Sequence, residues 1–277
     1  MLLMFIVVVV MFDYYVTSKF PDTCNDPDPK IKSPVDIDYY NSKGHMAFPG
    51  NPKIVLDRTF YRRVNSKKLK FMDKPTEENP QYNELEMDIK GIGTAYVKVY
   101  NVTYEYKPYA LRLRVYSEHT FEGTKMDMEI QIMHDTVTPV QLPSIRPSKV
   151  GLAVLFSVAR NKHSSFVEEF LETLDEVTDE AMKYDFGQTK SLDLNQFFNF
   201  WEPFYHYKGS GTSPEDYCNE VDWFVMKKVQ NMSQDQLRKI LLILAKNGYP
   251  NGNAKDVEQG QDILVNYCPN VEPDDDD

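Results

Sequence analysis

The chain has 277 residues, 42% of them apolar, and a formal net charge of -11. That is enough apolar material and length for one large domain or two small ones with a real core. The acidic balance argues against nucleic acid or an anionic polysaccharide as the main partner, and the cluster Lys67, Lys68, Lys70 reads as a solvated loop.

The first twelve residues, MLLMFIVVVVMF, are apolar and uncharged. A membrane span needs ~20 residues. The run therefore suits the core of a signal peptide, with Val16-Thr17-Ser18 supplying small residues for cleavage. No basic residue precedes it, so an uncleaved membrane anchor and a buried helix are the competing readings. Residues 1–18 form this apolar segment, 21–268 the folded domain, and 269–277 a tail ending in Asp274 to Asp277. The three cysteines, Cys24, Cys218 and Cys268, allow one disulfide and one remaining thiol in an oxidising compartment. The sequons Asn101-Val-Thr and Asn231-Met-Ser add weak support for secretion.

Residues 21–82 are rich in Pro, Asn, Asp and Lys and read as loop with short strands. From Glu84 the pattern changes to alternation. Segments 85–89, 94–106, 110–116 and 126–134 are rich in aromatic and β-branched residues at period two, the signature of strands with one polar face. GLAVLFSVA, 151–159, is continuously apolar and suits a strand buried on both faces. Ser165 to Glu168 forms a capping box opening a helix that carries Phe166, Phe170, Leu174 and Val177 on one face. Ser233 to Gln236 opens a second helix with Leu237, Ile240, Leu241 and Leu244 as its stripe, closed by Asn247-Gly248. Many strands with few helices and no βαβ alternation predict an α+β or mainly-β domain.

Four segments, in order, carry a resemblance. Ser33-Pro-Val-Asp-Ile-Asp38 resembles the Q-S-P-[IV]-[DN]-I signature of α-class carbonic anhydrases. Ser117-Glu-His-Thr120 followed by Glu129, Gln131 and His134 resembles that family's SEHT…E-x-H segment. Tyr205 to Pro214 resembles Y-x-Y-x-G-S-L-T-T-P, with Cys218 and Trp223 following, and 256–264 is faintly similar to the closing N-[FY]-R-P-x-Q-x-L. The resemblance implies a large, twisted, mostly antiparallel central sheet with peripheral helices.

The family's zinc is held by three histidines and activates a water. The matching positions here are Arg112, Arg114 and Gln131. Arg has no lone pair to give and stays charged, and Gln offers only a neutral amide. The resemblance therefore implies a zinc-less relative with no cofactor and no hydratase activity. Gly93 falls at the proton-shuttle position and Gly211 at the family's Leu. Glu118, Thr212 and Glu129 match the carboxylate partner, the hydroxide-orienting threonine and the acid bracing the third ligand. On the 126–134 strand Glu129 and Gln131 share a face, while His134, three residues from Gln131, points the other way; His45, His119, His163 and His206 look scattered.

Arg112 and Arg114 are two apart on a strand and share a face. Buried, they need partners, and Glu118 and Glu129 are the carboxylates nearby in sequence. Arg–Glu pairs with Gln131 beside them would fill the former metal volume; a small anion held by both guanidiniums is the alternative. Family resemblance also implies a Cys24–Cys218 disulfide, leaving Cys268 as a thiol. The expected function is an inactive structural or interaction module with protein partners. It would be an accessory subunit of a membrane-associated assembly, in a secretory or other non-cytosolic space or at an organelle membrane. Residual hydratase or esterase activity with another metal is the enzymatic alternative.

Overall fold

The computed structural model describes residues 31–38, 54–62, 69–71, 85–100, 102–137, 148–174, 192–198, 202–213, 216–246, 249–257 and 265–268. The apolar run at the N-terminus, the 21–30 stretch with Cys24, Val177 and the acidic tail lie outside them. In chain order the elements are β1 (Asp36–Ile37), β2 (Ile54–Tyr61), β3 (Leu69–Phe71), β4 (Leu85–Asp88), β5 (Gly93–Val99), β6 (Val102–Arg114), β7 (Thr120–Phe121), β8 (Thr124–Lys125), β9 (Met128–Thr136) and β10 (Lys149–Val158). Then follow α1 (Ser165–Leu174), a 3-10 turn (Leu194–Phe197), β11 (Phe204–Ser210), β12 (Glu220–Met226), β13 (Gln230–Met232), α2 (Gln234–Lys246) and β14 (Asn266–Cys268).

Among the described residues, eleven strands form one sheet, ordered β14-β11-β12-β10-β9-β6-β4-β3, with β13 beside β10 and with β5 and then β2 continuing from β6. Most pairs are antiparallel; β10 runs parallel to β12 and β13. β1, β7 and β8 make a separate small sheet. The α+β, mainly-β expectation therefore holds. The continuous apolar run 151–159 is the sheet's middle strand β10, flanked by β9 and β12, with Gly151 to Phe156 buried. The alternating segment 94–106 is not one strand: it divides into β5 and β6 around a tight turn at Tyr100, whose φ is 54°.

Period-two alternation gives the sheet two different faces. One face carries Leu111, Leu113, Ile130, Ile132, Leu152, Val154 and Phe224, and is covered by Phe166 and Phe170 of α1, Phe197, and Leu237, Ile240 and Leu244 of α2. α2 is capped as expected: Ser233 Oγ accepts from Gln236 N, and Gln236 Oε1 accepts from Ser233 N at 3.0 Å. The cap of α1 is Ser164 rather than Ser165, because Ser164 Oγ is the acceptor for Val167 N. Gln236 also donates to Ser164 O, so one buried amide joins both helix starts.

The other face holds Ala110, Met133, Ala153, Tyr205, Tyr207 and Trp223, with Val35 and Ile37 over them. Trp223, fully buried, sets a close contact here. A Cβ on Gly151 would stand 2.5 Å from its indole Cε3, while its Nε1 donates to Ser210 O at 2.9 Å and fixes the ring. Gly151→Ala is therefore expected to destabilise by about 1–3 kcal/mol through overpacking. It should lower the melting temperature and shift Trp223 emission; an unchanged melt would refute the contact.

Candidate functional site

Between the apolar residues of the second face lies a polar cluster. β6 and β9 are paired so that Arg112 faces Gln131 and Arg114 faces Glu129. The predicted residues Arg112, Arg114, Gln131, Glu118, Glu129 and Thr212 do come together, and all are buried.

Glu129 is the hub. Its Oε2 accepts from the backbone N–H groups of Glu118 and His119, both at 2.9 Å. Its Oε1 sits 2.7 Å from His119 Nδ1 and accepts from Gln131 Nε2 at 2.9 Å. Gln131 Nε2 also donates to Glu118 Oε2 at 2.7 Å, and Gln131 Oε1 accepts from Thr212 Oγ1 at 3.0 Å. A carboxamide suits this niche: its NH2 donates to two carboxylates and its oxygen accepts from a hydroxyl. Thr212 thus serves Gln131, where the family resemblance pairs it with Glu118. Glu118 Oε1 faces Arg114 Nε at 3.1 Å and accepts from Lys255 N at 3.1 Å.

Arg114 therefore has the expected glutamate partner. Arg112 does not pair with Glu118 or Glu129. Its Nε donates to Glu86 Oε2 at 3.0 Å and its Nη2 to Asp216 Oδ2 at 2.7 Å. Glu86 is its direct neighbour across β4, a register that local sequence does not reveal. Asp216 closely follows the Tyr205–Pro214 motif, and the signal for it was Gly211 at the family's Leu position combined with that acidic residue. A Cβ on Gly211 would fall 2.2 Å from Asp216 Cβ, so the glycine makes room for the aspartate.

His119, read as scattered, is central. Its Nε2 lies 2.7 Å from Tyr207 OH, which donates to Ser33 Oγ at 3.0 Å. Ser33 N in turn donates to Ser210 Oγ, and Lys255 Nζ to Ser33 O. Thr120 Oγ1 donates to Asp36 Oδ1 at 2.6 Å. The motifs at 33–38, 117–120 and 205–213 are thus joined in one hydrogen-bonded unit. His134, as expected, points the other way, contacting Tyr61 OH at 2.8 Å. Gly93 lies against β2, where a Cβ would meet Phe60 O at 2.2 Å; no contact joins it to the cluster. Cys268 is a buried thiol rather than a half-cystine; Cys24 is outside the described residues. Among the described residues, no three His, Cys, Asp or Glu side chains are grouped to hold a metal.

The electrostatics follow from burial. Desolvation alone would raise the Glu129 carboxyl, but His119 and the hydrogen bonds from His119 and Gln131 outweigh it and hold it below its ordinary value. Burial pushes His134 down from 6.5 to about 4. Both folded values lie below the unfolded ones, so both contributions are present at neutral pH and are lost on acidification. His134 acts first, between 6.5 and about 4, at up to about 1.4 kcal/mol per pH unit. Urea midpoints measured from pH 7 to 4 should fall, and His134→Gln should flatten that slope. Glu129→Gln breaks the His119 pair and should cost about 3–5 kcal/mol at pH 7; a loss under 1 kcal/mol would remove Glu129 from its place as hub.

Residues 18–259 match the family model for eukaryotic-type carbonic anhydrase. The human receptor-type tyrosine-protein phosphatase zeta is 26% identical over 247 residues, covering 83% of this chain and 10% of that protein. Dioscorin DB3L of Dioscorea polystachya is 27% identical over 139 residues, 49% of this chain and 45% of that one. The chain thus spans from a tenth to under half the length of these two relatives. Among solved structures, dioscorin complexed with ascorbate superposes with a TM-score of 0.64 at 20% identity, covering 88% of this chain and 87% of that chain, a likeness of fold. With the family model covering most of its length and the fold agreeing, the chain belongs to the eukaryotic-type carbonic anhydrase family.

Proposed function

We propose that this chain is a carbonic anhydrase-like domain without zinc or hydratase activity, acting as a structural or interaction module. One observation carries the reading: Arg112, Arg114 and Gln131, taken as the former ligand positions, each meet a carboxylate inside a buried network, and Gln131 also accepts from Thr212. These residues do not fit a zinc ion. Two guanidiniums would repel a dication and have no lone pair to donate. The amide oxygen of Gln131 is the hydrogen-bond acceptor for Thr212. No catalytic step is therefore assigned to Glu118, Thr212 or Gly93. The ion pairs on both arginines also favour a plugged cleft over an anion held between them.

The finer assignment is an accessory subunit of an assembly at a membrane or in a secretory space. Support comes from the N-terminal apolar run in the sequence and from a similar stretch within a receptor-type phosphatase. Among the described residues no helix is long and apolar enough to cross a membrane; the N-terminal run is the proposed anchor. The Cys24–Cys218 bridge is part of the same proposal, and would stabilise the domain by roughly 2–4 kcal/mol.

Metal analysis of the purified protein should find zinc far below one per chain, with carbon dioxide hydration at the uncatalysed rate. One bound zinc per chain would overturn the reading. Peptide mapping without reduction should recover Cys24 joined to Cys218, and their recovery as thiols would remove the support for a secretory compartment. A pull-down from native membranes should retain protein partners.

A further inference from the structure

Asp216 is held as a ligand is held. Its Oδ2 accepts from Arg112 Nη2 at 2.7 Å and from Tyr109 OH at 2.9 Å. Its Oδ1 accepts from Asn219 Nδ2 at 3.4 Å and faces Lys149 Nζ at 3.5 Å. Both oxygens are thus engaged, by two cations, a phenol and an amide, and the residue is buried. The donors come from two different strands and a loop. Tyr109 and Arg112 lie on β6, Lys149 begins β10, and Asn219 precedes β12. The carboxylate is the group that all four contact.

The surroundings are built for this occupant. Gly211 has no side chain where a Cβ would strike Asp216, and its N–H donates to Asp216 O at 3.1 Å. Lys149 lies 4.6 Å over the Tyr109 ring and donates to Asp135 Oδ1 at 2.7 Å, while Arg112 Nε is held by Glu86. These secondary contacts keep the two cations oriented whether or not the carboxylate is there. Burial, assisted by Asp216, raises the Tyr109 phenol far above its ordinary range, so it remains a donor. Burial would raise the Asp216 carboxyl, yet Arg112 and Lys149 outweigh that and keep it below its ordinary value.

We propose that Tyr109, Arg112, Lys149 and Asn219 form a carboxylate-binding cradle which the chain occupies with its own Asp216 side chain, and which takes a small carboxylate when that side chain is removed. The proposal deepens the plugged-cleft reading and rests on it. The intact protein binds no small anion at Arg112 because a tethered one is already there, at an effective concentration no free anion matches.

The test is chemical rescue by size. Asp216→Ala leaves a space for formate, and Asp216→Gly one for acetate. Each variant should melt below the parent chain. Roughly 100 mM formate should then raise the melting temperature of Asp216→Ala by several degrees, as expected for a ligand that binds the folded state alone. Sodium chloride at equal ionic strength should not, and the parent chain should respond to neither salt. Asp216→Asn, which fills the space with a neutral group, should be destabilised and not rescued. Equal response of the parent and Asp216→Ala to formate, or no response of a folded Asp216→Ala, would overturn the cradle. Should Asp216→Ala not fold alone, refolding from urea decides. Recovery in formate and not in chloride supports the proposal, and failure in both, or equal recovery in both, overturns it. Zinc content distinguishes this failure from failure of the plugged-cleft reading, since the first can occur in a zinc-free protein.

Discussion

No charge on the inner sheet face can stand unpaired, and the site's geometry follows from that. Arg112, Arg114, Glu118, Glu129 and Asp216 are each at most 4% exposed, and each ion removed from water costs several kcal/mol unless compensated. Each of the two arginines therefore meets a carboxylate, because a charge without a partner is stranded in low dielectric. Glu129 takes two backbone amides, an imidazole and a carboxamide. Glu118 takes a guanidinium, a carboxamide and the Lys255 amide. The segments that supply these groups must be brought together before any pair can form.

This requirement explains what the sequence disclosed and what it withheld. Local periodicity placed Arg112 and Arg114 on one face and His134 on the other, since side-chain direction on a strand depends on nothing but parity. The apolar run at 151–159 announced its two-sided burial for the same reason. The split of 94–106 was not legible, because aromatic and β-branched residues run on both sides of the turn at Tyr100 without a glycine or proline to mark it. The choice of Ser164 over its neighbour Ser165 as cap was hidden too. It depends on Gln236, some seventy residues on, which binds Ser164 at both its N–H and its carbonyl.

Partners were legible in proportion to how local they are. Arg114 and Glu118 sit four residues apart and meet as expected. Arg112 finds Glu86 through the register of β4 on β6 and Asp216 through a loop more than a hundred residues away. Neither follows from spacing. The clue to Asp216 was steric: a glycine where a bulky residue belongs marks a place that another group enters. His119 looked isolated for the opposite reason, since its partners Glu129 and Tyr207 reach it only once β9 and β11 lie in the same sheet.

A buried ionic network is a poor source of stability, because well-packed apolar residues of equal volume often do as well or better. The folding free energy of this domain comes instead from the two apolar clusters on either side of the sheet. What the network supplies is register. A slip of β9 by one residue against β6 would turn Glu129 and Gln131 into the aromatic and aliphatic cluster beneath the helices, and bring Ile130 and Ile132 opposite the arginines. Every charge would then lose its partner at once. The same cluster therefore disfavours the neighbouring misfolded pairings.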